Sequence, residues 1–192
     1  PLATGVMIVV TGRSTKLIEE LQAGVKEYVA TMQLGATTPS HDLETEIDGH
    51  FPTAHITRGL IDSVLPRFRG RIEQVPPAFS ACKVDGHRAY AMARKGRDVE
   101  LKPKVLVIDE IDLEEFDPDT MSLRLRIVCS KGTYIRALAR DIGEALGSGA
   151  HLTALRRTRV GNVTIDDCLD VDKAVEIIRA SDVVMPEENQ DK

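Results

Sequence analysis

Between residues 129 and 136 the chain reads CSKGTYIR and runs on into ALARDIGEALG. Arg136 falls on the first turn of a predicted helix, two residues after Tyr134 and behind a strand that ends at Lys131-Gly132. Gly132 permits a tight strand-to-helix turn, and the start of a helix presents backbone N–H groups that have no partner inside it. A guanidinium placed there can grip a carboxylate or a phosphate through two parallel N–H bonds. A surface acid would satisfy the same arginine, and the spacing alone leaves both readings open.

A second concentration of charge lies at Arg156, Arg157 and Arg159 in LTALRRTRVGNVTI. On a strand, Arg157 and Arg159 share one face and Arg156 points to the other, so the three need not form one patch. A third stretch, VPPAFSACKVDGHRAYAMARKG (75–96), interleaves Lys83, Arg88, Arg94 and Lys95 with Phe79 and Tyr90 behind two stiffening prolines. That composition suits phosphate contact combined with stacking on exposed bases. A hairpin loop with its aromatics tucked into the core fits it as well. Tyr28, between Glu27 and Val29, reads by itself as a half-buried strand tyrosine. The sequence has no Gly-rich phosphate loop, GxSxG, HExxH or cysteine–histidine cluster, so ATP, nicotinamide and zinc have no visible home.

The elements that must hold these residues follow from periodicity. GVMIVV (5–10) predicts a strand, and Ser14 or Thr15 an N-cap for a helix over KLIEELQA, which Gly24 stops. KEYVATMQLG (26–35) alternates and predicts the strand that carries Tyr28. ATTPSHDLETEIDGHFPTAH then runs for about twenty residues without a period, a length typical of functional or mobile loops. TRGLIDSVLPRF predicts a helix capped by Thr57; a strand to Val75, an extended Pro-Pro loop and a helix from about Arg88 to Lys95 follow. KVLVIDEIDLEEF (104–116) and MSLRLRIVCSKG (121–132) predict a hairpin through DPDT. TYIRALARDIGEALG (133–147) sets Ile135, Leu138, Ala139, Ile142 and Leu146 on one helical face, with Gly147 as its stop. LTALRRTRVGNVTI returns to strand and DVDKAVEIIRASD closes as a helix. Strands and helices mixed without strict βαβ alternation point to the α+β (mixed α/β) class.

The chain has 192 residues, 42% of them hydrophobic, enough for one substantial core. Its net charge of −5 argues globally against a nucleic-acid partner, but the charge is segregated. Basic residues outnumber acids from Arg67 to Lys104, and between Arg124 and Arg159 eight arginines and lysines face only Asp141 and Glu144. Acid collects in DEIDLEEFDPD (109–119) and in the tail PEENQDK. Such segregation can leave a basic face that releases counterions from a phosphate backbone, although scattered solvated charge gives the same counts. Cys82, Cys129 and Cys168 are odd in number and widely separated, as expected of free thiols in a reducing compartment. No apolar run reaches the roughly 18 residues of a membrane span and no leader is visible, so a soluble cytoplasmic protein without a membrane partner is expected.

Taken in order, PLATG, KEYVATMQLGATT, QVPPAFSACKVDGHRAYAMARKG and CSKGTYIRALARDIGEALGSGAHLTALRRTRVG resemble the TruB family of tRNA pseudouridine synthases from Pro1 to about Asp167. The resemblance implies the pseudouridine synthase catalytic fold, a central mixed and mostly antiparallel sheet flanked by helices, over residues 1–180. An acidic tail at 181–192 then stands where many relatives carry a PUA-type domain. It implies isomerisation of a uridine in the T-arm loop, with tRNA as partner, no cofactor, no metal, no obligatory protein partner and a monomeric state. Tyr28 matches the tyrosine that stacks on the target base and is a candidate for proton abstraction from C5. Arg136 matches the arginine that holds the catalytic carboxylate, and Tyr134 and Leu155 match residues lining the uracil pocket. VPPAFSACKVDGHRAY resembles a mobile thumb that closes over the T-loop, which gives Lys83, Arg88 and Tyr90 RNA-contact roles. Lys16, Arg156 and Arg157 are further candidates for phosphate contact. The family motif GHxGTLDPxATG places its catalytic aspartate directly before the residue that corresponds to Pro1, so the resemblance assigns the nucleophile to no acid of this sequence, Asp42 and Asp48 included. This chain alone is therefore expected to be inactive, and a tRNA-binding or RNA-folding module that keeps the pocket and basic face is the competing reading.

Overall fold

A computed structural model of the chain describes residues 2–80, 82–84, 87–93 and 101–180. The chain enters at β1 (Ala3–Gly5) and passes through a 3-10 turn at Gly12–Leu17 into α1 (Ile18–Ala23). The strand expected over 5–10 is therefore shorter and earlier. Gly5 adopts φ 101° and turns the backbone out of the ladder, and beyond the buried Val6 both Met7 and Val9 stand 75% exposed. Neither Ser14 nor Thr15 caps the helix; the Thr15 hydroxyl instead donates to the Gly12 carbonyl at 2.8 Å.

β2 (Lys26–Leu34) follows, then the two-residue strands β3 (Ala36–Thr37) and β4 (Gly49–His50), which pin the ends of the aperiodic loop to each other. α2 (Arg58–Val64) starts where expected, with the Thr57 hydroxyl accepting from Leu60 N–H, and runs into a 3-10 turn at Leu65–Phe68. β5 (Gly70–Gln74) leads into the Pro-Pro segment, beyond which β6 (Lys83–Val84) and β7 (His87–Arg88) form a small hairpin ahead of α3 (Ala89–Ala93). The last residues of the helix expected to reach Lys95 lie outside the described residues, as does the tail 181–192. β8 (Lys104–Asp117) and β9 (Ser122–Cys129) make the expected hairpin; α4 (Ile135–Ala145), β10 (Ala150–Val160), β11 (Val163–Thr164) and α5 (Val171–Ala180) complete the fold.

The main sheet has the order β1-β10-β2-β9-β8-β5, with β11 paired to β10. Only β1 runs parallel to its neighbour, so the sheet is mixed and mostly antiparallel, as the α+β reading requires. Alternation on β2 and β9 sends Ala30, Met32, Leu34, Leu123, Leu125 and Ile127 to one buried face. α4 lays Leu138, Ala139, Ile142 and Leu146 on that face, each 2% exposed or less. Fully burying a leucine or isoleucine side chain stabilises by about 1.5–3 kcal/mol. α4 approaches the start of β10 so closely that a Cβ on Gly143 would lie 2.4 Å from the Ala150 nitrogen. The consequence for function is that the beginning of α4 is fixed over the middle of the sheet.

Candidate active site

Gly132, at φ 90°, makes the turn between β9 and α4, and Tyr134 is the N-cap residue. Arg136 therefore leaves the first turn of α4 toward the loop between β3 and β4. Its Nη1 donates to Asp42 Oδ2 at 3.0 Å and to the Ser40 carbonyl at 3.3 Å, and its Nη2 to the Phe79 carbonyl at 2.7 Å. These bonds use no more than three of the five N–H donors of a guanidinium. Asp42 is only 7% exposed, and its own backbone is tied down: its carbonyl accepts from Thr38 and Ser40 hydroxyls and its Oδ1 from Glu44 N–H at 2.9 Å. The loop that lacks a period is thus ordered by hydroxyls and carboxylates bonding to their own backbone.

Strand register aligns the rest. Ala3, Leu155 and Ala30 stand in one row across β1, β10 and β2, and Gly5, Arg157 and Tyr28 two rows on, with Thr4, Arg156 and Val29 between. Paired residues share a face, so Leu155, Arg157 and Tyr28 look to the same side while Arg156, opposite Val29, looks to the other and is exposed. The expectation that Arg157 and Arg159 share a face fails because β10 bulges between them. Thr158 is the extra residue, and both Thr158 and Arg159 reach Glu27 on the far face, at 2.8 and 3.7 Å. Arg157 instead donates from Nε to the Val6 carbonyl at 2.8 Å and anchors the segment that follows β1. A Cβ on Gly5 would sit 2.1 Å from the Arg157 carbonyl oxygen, so only glycine allows this approach.

Two cavities flank this row. One, of about 670 Å³, is lined by Tyr28, Tyr134, Lys26, Lys131, Arg157 and apolar residues of the 7–10 segment and α1. The other, of about 820 Å³, is lined by Arg136, Leu155, Asp42, Leu2 and Ala3 with Leu43, Glu44 and Leu152. The four pocket residues expected from the sequence are thereby divided between the two cavities, Tyr28 with Tyr134 and Arg136 with Leu155.

Electrostatics follow from burial among cations. Burial raises the Tyr28 phenol above its ordinary value, against the pull of Arg157. Lys26 is lowered by burial and by Lys131 and Arg157, while its ammonium donates to the Gln22 and Gly24 carbonyls. Tyr134 is raised by burial and by Cys82, whose Sγ lies 3.1 Å from the Tyr134 hydroxyl. Burial pushes the Cys82 thiol up, but hydrogen bonds with Tyr134, Ser80 and Lys104 outweigh it and leave the thiol lowered. His41, at φ 59° beside Asp42, is pushed down to about 4 by burial and by the Arg140 and Arg136 charges.

Of the other candidates, Lys16 is exposed in the 3-10 turn and lines neither cavity. Lys83 and Arg88 pair across the β6–β7 hairpin, with side chains outside the described atoms, and Tyr90 is half-buried with its N–H on the Ser80 carbonyl. Sequence reasoning missed Asp42 and Gln74. Asp42 carried one signal, the unusual length of its loop. Gln74, fully buried, carried none, because a glutamine at the end of a strand resembles any polar terminus.

The TruB family pseudouridylate synthase N-terminal domain matches residues 1–135, and the tRNA pseudouridylate synthase B C-terminal domain matches residues 136–187. The chain is 67% identical over 183 residues to tRNA pseudouridine synthase B of Bacteroides fragilis, covering 95% of this chain and 78% of the relative. It is 68% identical over 172 residues to the protein of the same name from Phocaeicola vulgatus, covering 90% and 72%. Among solved structures, a chain in a Cbf5-Nop10-Gar1 complex superposes with a TM-score of 0.61 at 28% identity, over 84% of this chain and 38% of that one.

Proposed function

Because the chain belongs to the TruB family of pseudouridylate synthases, we propose that it forms the catalytic domain, over residues 1–180, of an enzyme that isomerises a uridine in the T-arm loop of tRNA to pseudouridine. The observation that carries the reading is the anchored guanidinium of Arg136, bonded to Asp42 and opening with Leu155 onto a cavity beside β1.

The reaction breaks the N1–C1′ glycosidic bond, turns the detached base, joins C5 to C1′, and removes the C5 proton while N1 gains one. Atoms and electrons balance within one nucleotide, so the chemistry asks for charge stabilisation, a proton path and a pocket that keeps the base from escaping. The family motif places a carboxylate directly ahead of the Pro-Leu-Ala-Thr-Gly run. Leu2 and Ala3 of that run line the Arg136 cavity, and Ala3 lies beside Leu155 in the register. The donors of Arg136 not used by Asp42, Ser40 and Phe79 are free to orient the carboxylate, while Asp42 keeps the guanidinium from turning away. Tyr28 offers a neutral phenol to the base, with Arg157 beside it. A target uridine must leave the loop stack to reach either residue. Lys83, Arg88, Tyr90 and Lys16 are read as contacts to the RNA outside the pocket, and Arg157 as one at the wall of the Tyr28 cavity.

Tritium release from C5-labelled uridine in a T-arm stem-loop tests this. The protein that includes the motif aspartate should release the label, and the chain from Pro1 alone should bind the stem-loop without release. Binding without release by both forms would favour an RNA-folding module, and no preference over an unrelated hairpin would overturn both readings.

A further inference from the structure

Gln74 is the last residue of β5 and 0% exposed. A buried carboxamide needs a partner for each of its polar atoms, and among the described residues both atoms of this one bond to a single residue. Its Oε1 accepts from Tyr134 N–H at 2.9 Å and its Nε2 donates to the Tyr134 carbonyl at 3.2 Å. Tyr134 is the N-cap of α4 and makes no side-chain cap of its own, a poor residue type for that place. Gln74 supplies from another strand the bond to the N-cap N–H that a capping-box side chain three residues on would make, a place held here by Ala137.

The segment beyond Gln74 repeats the pattern. The Val75 carbonyl accepts from Arg140 at 3.1 Å, the Phe79 carbonyl accepts from Arg136 at 2.7 Å, and Cys82 Sγ meets the Tyr134 hydroxyl at 3.1 Å. Between residues 74 and 82 the chain thus fixes both ends of Tyr134, its backbone and its hydroxyl, and one nitrogen of Arg136.

We infer that Gln74 is a positioning residue for the isomerisation: its carboxamide, closed on the N–H and C=O of Tyr134, sets the start of α4 and with it the Tyr134 ring and the Arg136 guanidinium. The inference rests on the reading of the chain as a pseudouridine synthase. It accounts for a buried polar side chain at a position where a leucine would add apolar burial. An α4 free to unwind by one residue would move Arg136 relative to Asp42 and Leu155, and displacements of about 1 Å reduce rates by about a hundredfold.

The test is Gln74→Glu in the full-length protein, with Gln74→Met as the volume-matched variant that can make neither bond. A protonated glutamic acid reproduces the carboxamide, its O–H donating to the Tyr134 carbonyl and its C=O accepting from the Tyr134 N–H; the carboxylate loses the donor. At pH 8, kcat of Gln74→Glu on T-arm RNA should fall by about a hundredfold with KM changed less than about threefold, and should recover as pH is lowered. Gln74→Met should lose kcat at every pH, and its Tyr134 amide should exchange hydrogen at least about tenfold faster. Wild-type kcat in folded variants, or kcat and KM losses that track the unfolded fraction with no acid recovery, would overturn the inference. Absence of turnover in the wild type would instead overturn the functional reading, while unchanged exchange at Tyr134 would separately overturn the clamp.

Discussion

Arg136 and Asp42 are ninety-four residues apart in the chain and 3.0 Å apart in the fold, joined Nη1 to Oδ2. Their side chains are 22% and 10% exposed, so the pair is neither a solvated surface bridge nor fully withdrawn from the cavity. α4 delivers the arginine rigidly through its buried face, whereas the aspartate arrives on a loop held by its own hydroxyls. A rigid cation and a tethered anion give the guanidinium one orientation, with Ser40 and Phe79 carbonyls closing off the others.

Arg136→Lys should therefore lower turnover far more than RNA affinity, since an ammonium cannot satisfy Asp42, two carbonyls and a second carboxylate in one plane. Asp42→Asn should lower turnover by about a hundredfold with RNA affinity within about threefold, because the fork is left mis-aimed. Stopped-turnover tritium release beside stem-loop titration checks both, and equal losses in rate and affinity would remove the assigned role.

Why Arg136 was legible in the sequence and Asp42 was not is a matter of range. Gly132, the apolar stripe Ile135-Leu138-Ala139-Ile142 and Gly147 are local signals that define α4 and put Arg136 on its first turn. The alternation of β2 fixed Tyr28 in the same way. Asp42 and Gln74 act across the fold, and their partners are decided by topology. The bulge at Thr158 is another long-range outcome: period-two reading puts Arg157 and Arg159 together, and one inserted residue parts them. The apolar run 5–10 misled because a glycine at positive φ ends β1 at its first residue.

The hydroxyl of Tyr28 can be separated from its ring. Tyr28→Phe keeps the stacking surface and should leave stem-loop affinity within about twofold while turnover falls by about a hundredfold. Because burial raises the Tyr28 phenol, wild-type turnover should show no inflection from its ionisation up to about pH 10, where an unperturbed tyrosine is half ionised. Unchanged turnover in the phenylalanine variant would remove Tyr28 from the chemistry.

The two neighbouring arginines of β10 should behave unlike each other. Arg157 shares a face with Tyr28 and Leu155, whereas Arg156 is exposed on the far side of the sheet. Arg157→Ala should weaken stem-loop binding by about tenfold and flatten its logarithmic salt dependence by about 1. Arg156→Ala should change affinity by less than about twofold. Equal effects would mean that the RNA reaches both faces.

Acid should weaken the fold through His41, in a direction set by the cations around it. Burial, Arg140 and Arg136 hold its imidazole at about 4, against Asp42 and the Thr38 backbone bond, which pull upward. Below about pH 6.5 the unfolded chain therefore binds a proton that the folded chain refuses, so stability present above that pH drains away as pH falls toward 4. The difference amounts to at most about 3 kcal/mol. His41→Asn tests it, because asparagine tolerates the left-handed φ of 59° and does not titrate. Denaturant midpoints of the wild type should fall more steeply than those of the variant between pH 7 and 4.5, and parallel curves would show that the imidazole is not the group responsible.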